Sequence, residues 1–301
     1  ASTMSSAGRG SGRWSCSTGG MNTLEMWMDY VDDLARDSRV LLFDYPRELK
    51  TNQAQAAGMH ALFERLGIQK PIFVGASDGG MVAQIYVQKY PGETGGLVLI
   101  STGGMDERTL RSLKKKYRLA PLMLWYMKHC NYEKLKPRLI RASLSHLRNE
   151  SPEEIAYARD MFETIFRGYP QEKDVHISTL LADLMNQKPV TAADFSALAG
   201  KILLILPDQD FFSGEMQQDL IGLMHQPKIV CVSGGHLGTV LKAEDGLRAT
   251  RANRALERAD TKHIPIIAMT ANTFQEDAQE CLKAGMNAHL SKPLDMDQLV
   301  R

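Results

Sequence analysis

Three short stretches of this chain carry side chains suited to attack on a carbonyl. "GASDGG" gives Gly75-x-Ser77-x-Gly79 directly after an apolar run and before a helical one. A serine that attacks must have its Oγ lifted clear of the backbone. A sharp strand-to-helix turn does this where the neighbours lack side chains, and Gly75, Gly79 and Gly80 meet that demand. Serine's hydroxyl is too weakly acidic to react unaided, so a base is required. Of eight histidines, His236 stands out because it follows an apolar strand and the pair Gly234-Gly235. His60, His129, His146, His176 and His225 lie within or beside helical stretches and are read as surface or core residues. The base needs a carboxylate to fix its tautomer. "LPDQDFF" offers both Asp208 and Asp210 after the preceding strand, which satisfies the order Ser, Asp, His. The chemistry expected is acyl transfer through Ser77, with His236 as base and no metal or cofactor.

Such residues must be carried by elements that converge. Apolar runs alternate with amphipathic ones from residue 25 onward. "EMWMDYVDDLARD" places Met26, Tyr30, Val31 and Leu34 on one helical face, and "RVLLFDYP" is a buried strand stopped by Pro46. "NQAQAAGMHALFERLGI" and "MVAQIYVQKYP" read as helices flanking the strand "KPIFVGASDGG", and "GGLVLISTGG" is a further strand. Near-continuous apolar strands separated by helices predict an α/β fold: a mostly parallel sheet covered on both faces. Between about 105 and 198 the strand signal vanishes. That stretch is rich in Leu, Met and Arg, with breaks expected at Pro121, Pro137, Pro152 and Pro170, and is expected to form a helical cap. Ser151-Pro152 followed by acidic residues is a helix-start signature. The alternating rhythm resumes with "GKILLILPDQD", a helix through "GEMQQDLIGLMHQ" and "PKIVCVSGGH".

Composition narrows the function classes. The 301 residues are 44% apolar and 24% charged, ordinary for a globular protein. A formal net charge of +1 lacks the electrostatic footprint of a nucleic-acid binder, and "LKKKYR" at 113–118 is read as a solvated helix face. Cys16, Cys130, Cys231 and Cys281 show no C-x-x-C spacing, which argues against a zinc site and fits reduced thiols. No apolar run approaches the ~20 residues of a membrane span. The Gly/Ser-rich start, residues 1–17, is expected to be flexible and is not followed by the apolar core of a secretory signal. The expected home is the cytoplasm, and the expected partner a small-molecule ester, with no nucleic acid and no membrane.

"VGASDGGMVAQIYVQKYP", "KILLILPDQD" and "SGGHLG" together resemble the nucleophile, acid and histidine segments of the α/β-hydrolase family with a helical cap, over residues 18–243. The resemblance favours Asp210 over Asp208 as the acid. It also implies an oxyanion hole made by the backbone N–H of Asp78 and a second donor from a loop usually marked His-Gly. Here that loop aligns with "STGGMNTLEMW", which puts Thr18 where histidine is usual and leaves backbone donors at Gly19, Gly20 or Met21. The segment "GRWSCS" that should carry the loop is polar, and the strands that normally precede it are expected to be missing. An unpaired edge beside "RVLLFDYP" would follow. Asp44, after that strand, is expected to shape the sheet's end. The apolar "LAPLMLWYMKH" and "LLADLMNQKP" are expected beneath the cap, facing an acyl or alkyl group. The implied activity is that of a serine esterase; a hydrolase-like remnant that binds small apolar ligands is the alternative.

The tail belongs to a different pattern. "IPIIAMTANTFQEDAQECLKAGMNAHLSKPLDMDQLV" resembles the C-terminal half of a response-regulator receiver domain, with Thr270 at the end of its fourth strand and Lys292-Pro293 after its fifth. "EDGLRATRANRALERADTKH" resembles the receiver's third helix, entered through Asp245-Gly246, so the receiver-like fragment runs from 244 to 301. In that family the phosphorylated aspartate lies seven residues before the aspartate of the D-G pair, a place taken here by Gly238. The resemblance therefore implies no phosphorelay. Residues 240–258 are expected to supply the helix after the hydrolase histidine, and the two βα units beyond it either extend the sheet beside "KIVCVS" or stand apart.

Overall fold

The apolar runs marked as strands by the sequence lie side by side in the computed structural model, which describes residues 4–7, 14–18, 38–147, 152–232, 234–236, 267–270 and 288–291. The strands are β1 (Met4–Ala7), β2 (Trp14–Thr18), β3 (Arg39–Phe43), β4 (Ile72–Ala76), β5 (Gly96–Ile100), β6 (Ile202–Pro207) and β7 (Lys228–Val232). They form one sheet in the order β1-β3-β2-β4-β5-β6-β7, parallel throughout except where β1 runs antiparallel to β3. Helices α1 (Asn52–Leu66) and α2 (Asp78–Lys89) cross between strands, and α8 (Gly214–Leu223) links β6 to β7. Residues alternate between the faces of β5. Leu97 and Leu99 enter the large core shared with Phe63, Phe73 and Tyr86, while Val98 and Ile100 pack toward Ile205, Val230 and Val232. The expected α/β class with a mostly parallel sheet is what the chain adopts.

Two expectations for the N-terminal segment need correction. Residues 1–17, expected to be flexible, hold β1 and all of β2 but its last residue, and the polar "WSCST" of β2 sits inside the sheet between β3 and β4. Both edges of β2 are met by apolar strands whose ladders are already aligned, Cys16 opposite Leu41 on one side and Phe73 on the other. Backbone pairing between two such templates outweighs side-chain preference, which in strands is strongly context-dependent. The edge of β3 predicted to lie open is covered by β1, with Met4 opposite Phe43 and Ala7 opposite Val40. The helix expected at 25–37 and the one expected at 240–258 lie outside the described residues.

Between β5 and β6 the described chain is helical: α3 (Glu107–Lys116), α4 (Ala120–His129), α5 (Tyr132–Leu144), α6 (Pro152–Arg167) and α7 (Gln171–Leu184), with 3-10 turns at Ser145–Leu147 and Ala192–Leu198. Pro121 stands in the first turn of α4, Pro152 opens α6 and Pro170 caps α7, as their position-specific chemistry predicts. Pro137 does not break its helix. It lies inside α5, where the burial of Tyr132, Leu135 and Leu144 holds the turns on either side. Polar contacts tie this layer to the sheet. Asn52, fully buried, donates from its backbone and side chain to Asp183 Oδ2 at 2.7 and 2.9 Å and from Nδ2 to Leu180 O. Lys173 of α7 meets Asp44 at 3.1 Å, so Asp44 anchors the helical layer on the end of β3.

The receiver-like strands do not join this sheet. β8 (Ile267–Thr270) and β9 (Ala288–Ser291) pair in parallel as a separate two-stranded sheet, Ile267 opposite Ala288 and Thr270 opposite Ser291. Among the described residues, no helix is long and apolar enough to cross a membrane.

Candidate active site

Ser77 occupies the turn between β4 and α2, at φ 53° and ψ −122°. A non-glycine residue seldom takes such a conformation, and holding it costs about 1–3 kcal/mol. The surroundings fix it from both sides. Its N–H donates to Ile100 O at 2.9 Å, and its carbonyl accepts from Thr102 Oγ1 at 2.6 Å and from the Gly80 N–H at 3.1 Å. Space for the turn depends on missing side chains. A Cβ on Gly75 would stand 2.7 Å from the backbone of Gly79 and Gly80, and one on Gly80 would stand 2.8 Å from Thr102. Neither neighbour is the loose end of a long side chain. Gly75→Ala should therefore destabilise the fold by about 3 kcal/mol, visible as a lowered midpoint in thermal unfolding. Gly222→Ala, where nothing lies within 4 Å, should not destabilise it.

The histidine segment is clasped to the acid loop. The Asp208 N–H donates to Val232 O and the Gln209 N–H to Gly234 O, each at 3.0 Å. Gly234 N–H returns a bond to Asp208 Oδ1 at 2.8 Å. Asp208 is thus spent on loop geometry, two residues before the carboxylate that reaches the imidazole. Asp210 Oδ1 lies 2.7 Å from His236 Nδ1 and also accepts from the Phe212 N–H at 3.3 Å. His236 Nε2 stands 2.9 Å from Ser77 Oγ. Asp210's side chain is 1% exposed and that of His236 18%, so the carboxylate is sealed in while the imidazole stays partly open to solvent. Phe211 meets the imidazole edge-on at 4.7 Å between centroids, and Phe212 lies at 5.9 Å. Two aromatic rings thereby exclude water from one side of the histidine.

With Nδ1–H donated to the buried carboxylate, the Nε2 lone pair faces the Ser77 hydroxyl. The fold therefore brings together Ser77, His236 and Asp210, residues far apart in the chain. Asp78, expected to donate its backbone N–H to an oxyanion, is the first residue of α2, where the helix dipole favours negative charge. Gly19 and Gly20, expected to supply the second donor, lie outside the described residues, whereas Thr18 ends β2 opposite Gly75.

Sequence reasoning passed over Thr102, Gln84 and the phenylalanine pair. Gln84 is fully buried; its Nε2 donates to Gly80 O and Gly103 O, and its Oε1 accepts from Met105 N, lashing α2 to the loop after β5. A glutamine on an otherwise apolar helix face was the available signal. The other histidines behave as read where they are described. His60 stacks on Tyr90, and His225 meets Ala192 O at 2.8 Å. His176 is buried, and that burial, reinforced by Arg47, pushes its pKa down. The side chain of His146 lies outside the described residues.

Comparison with known proteins divides along the same lines as the sequence. A family model described as the response regulator receiver domain matches residues 237–301. "Probable histidine kinase 6" of Oryza sativa subsp. japonica is 32% identical over 101 residues, which cover 28% of this chain and 10% of that protein. The chain thus spans a tenth of that relative's length. Among solved structures, a hydrolase from Pseudomonas aeruginosa PA01 superposes with a TM-score of 0.61 at 16% identity, covering 79% of this chain and 88% of the other. A thermophilic esterase from Thermogutta terrifontis superposes with a TM-score of 0.60 at 20% identity, covering 83% and 91%.

Proposed function

The chain carries an α/β-hydrolase fold with a receiver-like C-terminal segment, and on it we propose a serine hydrolase that cleaves a carboxylic ester through an acyl-enzyme. The observation that carries this reading is the unbroken line of short contacts from Asp210 through His236 to Ser77. Ser77 Oγ attacks the ester carbonyl as its proton passes to His236 Nε2. The buried carboxylate of Asp210 stabilises the imidazolium that forms and keeps the ring turned toward Ser77. The tetrahedral oxyanion is met by the backbone N–H of Asp78 and by donors from the segment holding Gly19 and Gly20. Collapse expels the alcohol, which takes its proton from Nε2. Water, deprotonated by His236, then releases the acid and restores Ser77.

The Ser77 backbone supports the reading independently of the hydrogen bonds. Strain held in place by Thr102, Gly80 and Ile100 has no packing benefit of its own, and strained residues cluster where geometry serves chemistry. Asp44 has no part in the reaction, since its carboxylate is paired with Lys173. The receiver-like tail is given no phosphorelay role, because Gly238 stands where the acceptor carboxylate would be.

A fluorophosphonate probe tests the proposal. Wild-type protein is expected to become covalently labelled, and Ser77→Ala to remain unlabelled. A cooperatively folded wild type that takes up no label would overturn the reading and leave a protein that binds ligands without turning them over.

A further inference from the structure

Helix α4 inverts the usual rule for a surface helix. Its residues Leu122, Met123, Trp125 and Tyr126 are 61%, 54%, 59% and 41% exposed, and Leu119 just before it is 63% exposed. Among the residues of α4 only Met127 is buried. At 3.6 residues per turn, Leu119, Leu122, Met123 and Tyr126 fall at i, i+3, i+4 and i+7, a continuous stripe, with Trp125 beside it. The stripe therefore faces solvent, where the sequence reading placed it beneath the cap. Folded monomers seldom leave so many large apolar side chains together in water.

The charge around the stripe identifies what it meets. Residues 107–141, spanning α3 to α5, hold eleven lysines and arginines against two glutamates. That excess of nine sits in a chain whose net charge is +1, so the remainder is acidic by eight. Lys115, Arg118, Lys128, Lys134, Arg138 and Arg141 are exposed on these elements. A second copy of the chain would press two such basic faces together, which repulsion opposes. The hollow lined by Leu119, Leu122, Met123, Trp125 and Tyr126, about 400 Å³, is walled by α4 and the residue preceding it, and so offers no groove between elements. A flat, anionic, apolar partner satisfies both features.

We propose that α4 and its basic flanks dock the protein on an anionic lipid surface, with the Leu119–Tyr126 stripe entering the headgroup boundary. Trp and Tyr favour that depth, and each lysine or arginine near the surface adds to the attraction for anionic headgroups. Docking of this kind needs no membrane span. The basic flank of the stripe reaches the ring that packs on the histidine. Lys116, at the end of α3, places its ammonium 4.9 Å from the Phe211 ring, and Phe211 packs on His236. On the hydrolase reading above, docking brings Ser77 to acyl esters held in that surface.

Co-sedimentation with phosphatidylcholine vesicles, with and without phosphatidylglycerol, tests the docking without relying on turnover if Ser77→Ala is used. The protein is expected to bind the anionic vesicles and to release as salt is raised. Lys115→Glu/Arg118→Glu/Lys128→Glu should weaken binding by at least about ten-fold, and Leu122→Ser/Trp125→Ser should abolish it. Unchanged thermal midpoints would establish that both variants fold. Equal binding to neutral and anionic vesicles, binding that survives either variant, or no binding would overturn the proposal. A concentration-dependent dimer dispersed by Leu122→Ser/Trp125→Ser, without vesicle binding, would overturn it in favour of a second copy. Docking without turnover of any ester would reject the hydrolase reading while leaving the lipid surface intact.

Discussion

Ser77→Ala should lower kcat for an activated ester by about 10⁶-fold, and His236→Ala by a similar factor. The two side chains act as a unit, since the base has nothing to deprotonate once Oγ is gone and Oγ has no acceptor once the imidazole is gone. The double variant should therefore be no slower than either single variant. Multiplying the two single losses would be expected only if the residues acted separately, and that outcome would overturn the assignment. Residual turnover above the reaction in water is expected in all three, because the donors around the oxyanion remain. The measurement is steady-state hydrolysis with active-site titration of the wild type. Ser77→Ala removes one oxygen from a site whose backbone is held by Ile100, Thr102 and Gly80, so its thermal midpoint should stay close to that of the wild type.

The parts of this site that were legible in the sequence are those in which a residue type admits few structural meanings. A serine between glycines after an apolar strand, a histidine after a glycine pair and an acid in the loop before it carry their roles in their spacing. The near-continuous apolar strands likewise announced a parallel sheet. β2 was illegible because "WSCST" has no apolar pattern of its own; its place comes from the ladders offered by β3 and β4. The direction in which α4 faces was illegible for a different reason. Periodicity finds an apolar stripe but says nothing of which side the core lies on, and here Met127 marks the inner side while five larger neighbours look outward. Pro137 misled because a proline's lost hydrogen bond is a local cost, whereas the packing of Tyr132, Leu135 and Leu144 that offsets it is tertiary.

The tail shows how resemblance and pairing can diverge. Its two described strands pair in parallel, Ile267 opposite Ala288, although on the receiver resemblance the place of the acceptor aspartate is taken by Gly238. Strand pairing needs only two backbone ladders in register, and Ile267–Thr270 and Ala288–Ser291 supply them. Phosphoryl chemistry needs a carboxylate at one position, and no amount of correct pairing supplies it.

Asp210→Asn should cost about 10⁴-fold in kcat, or ~5.5 kcal/mol of transition-state stabilisation, with KM little changed. The amide is nearly isosteric, so packing should survive, but it removes the negative charge beneath the imidazolium. It can also present an N–H donor to His236, which favours the tautomer with Nδ1 bare and Nε2 protonated, unable to accept the Ser77 proton. Asp210 Oδ2 is buried and finds no hydrogen-bond partner among the described residues, so the carboxylate's charge is answered at Oδ1, by His236 and the Phe212 N–H. Asp208→Asn provides the contrast. Its Oδ1 can still accept from Gly234 N–H, and the two backbone bonds of the clasp involve no side chain, so kcat should fall by less than about ten-fold, the loss of charge assistance in one part-buried bond. Asp208→Ala should loosen the His236 loop and lower the thermal midpoint before it touches the chemistry. If Asp208→Asn proved the slower enzyme, the acid would be Asp208, and the 2.7 Å contact between Asp210 and His236 would have to be a resting arrangement that the reaction abandons.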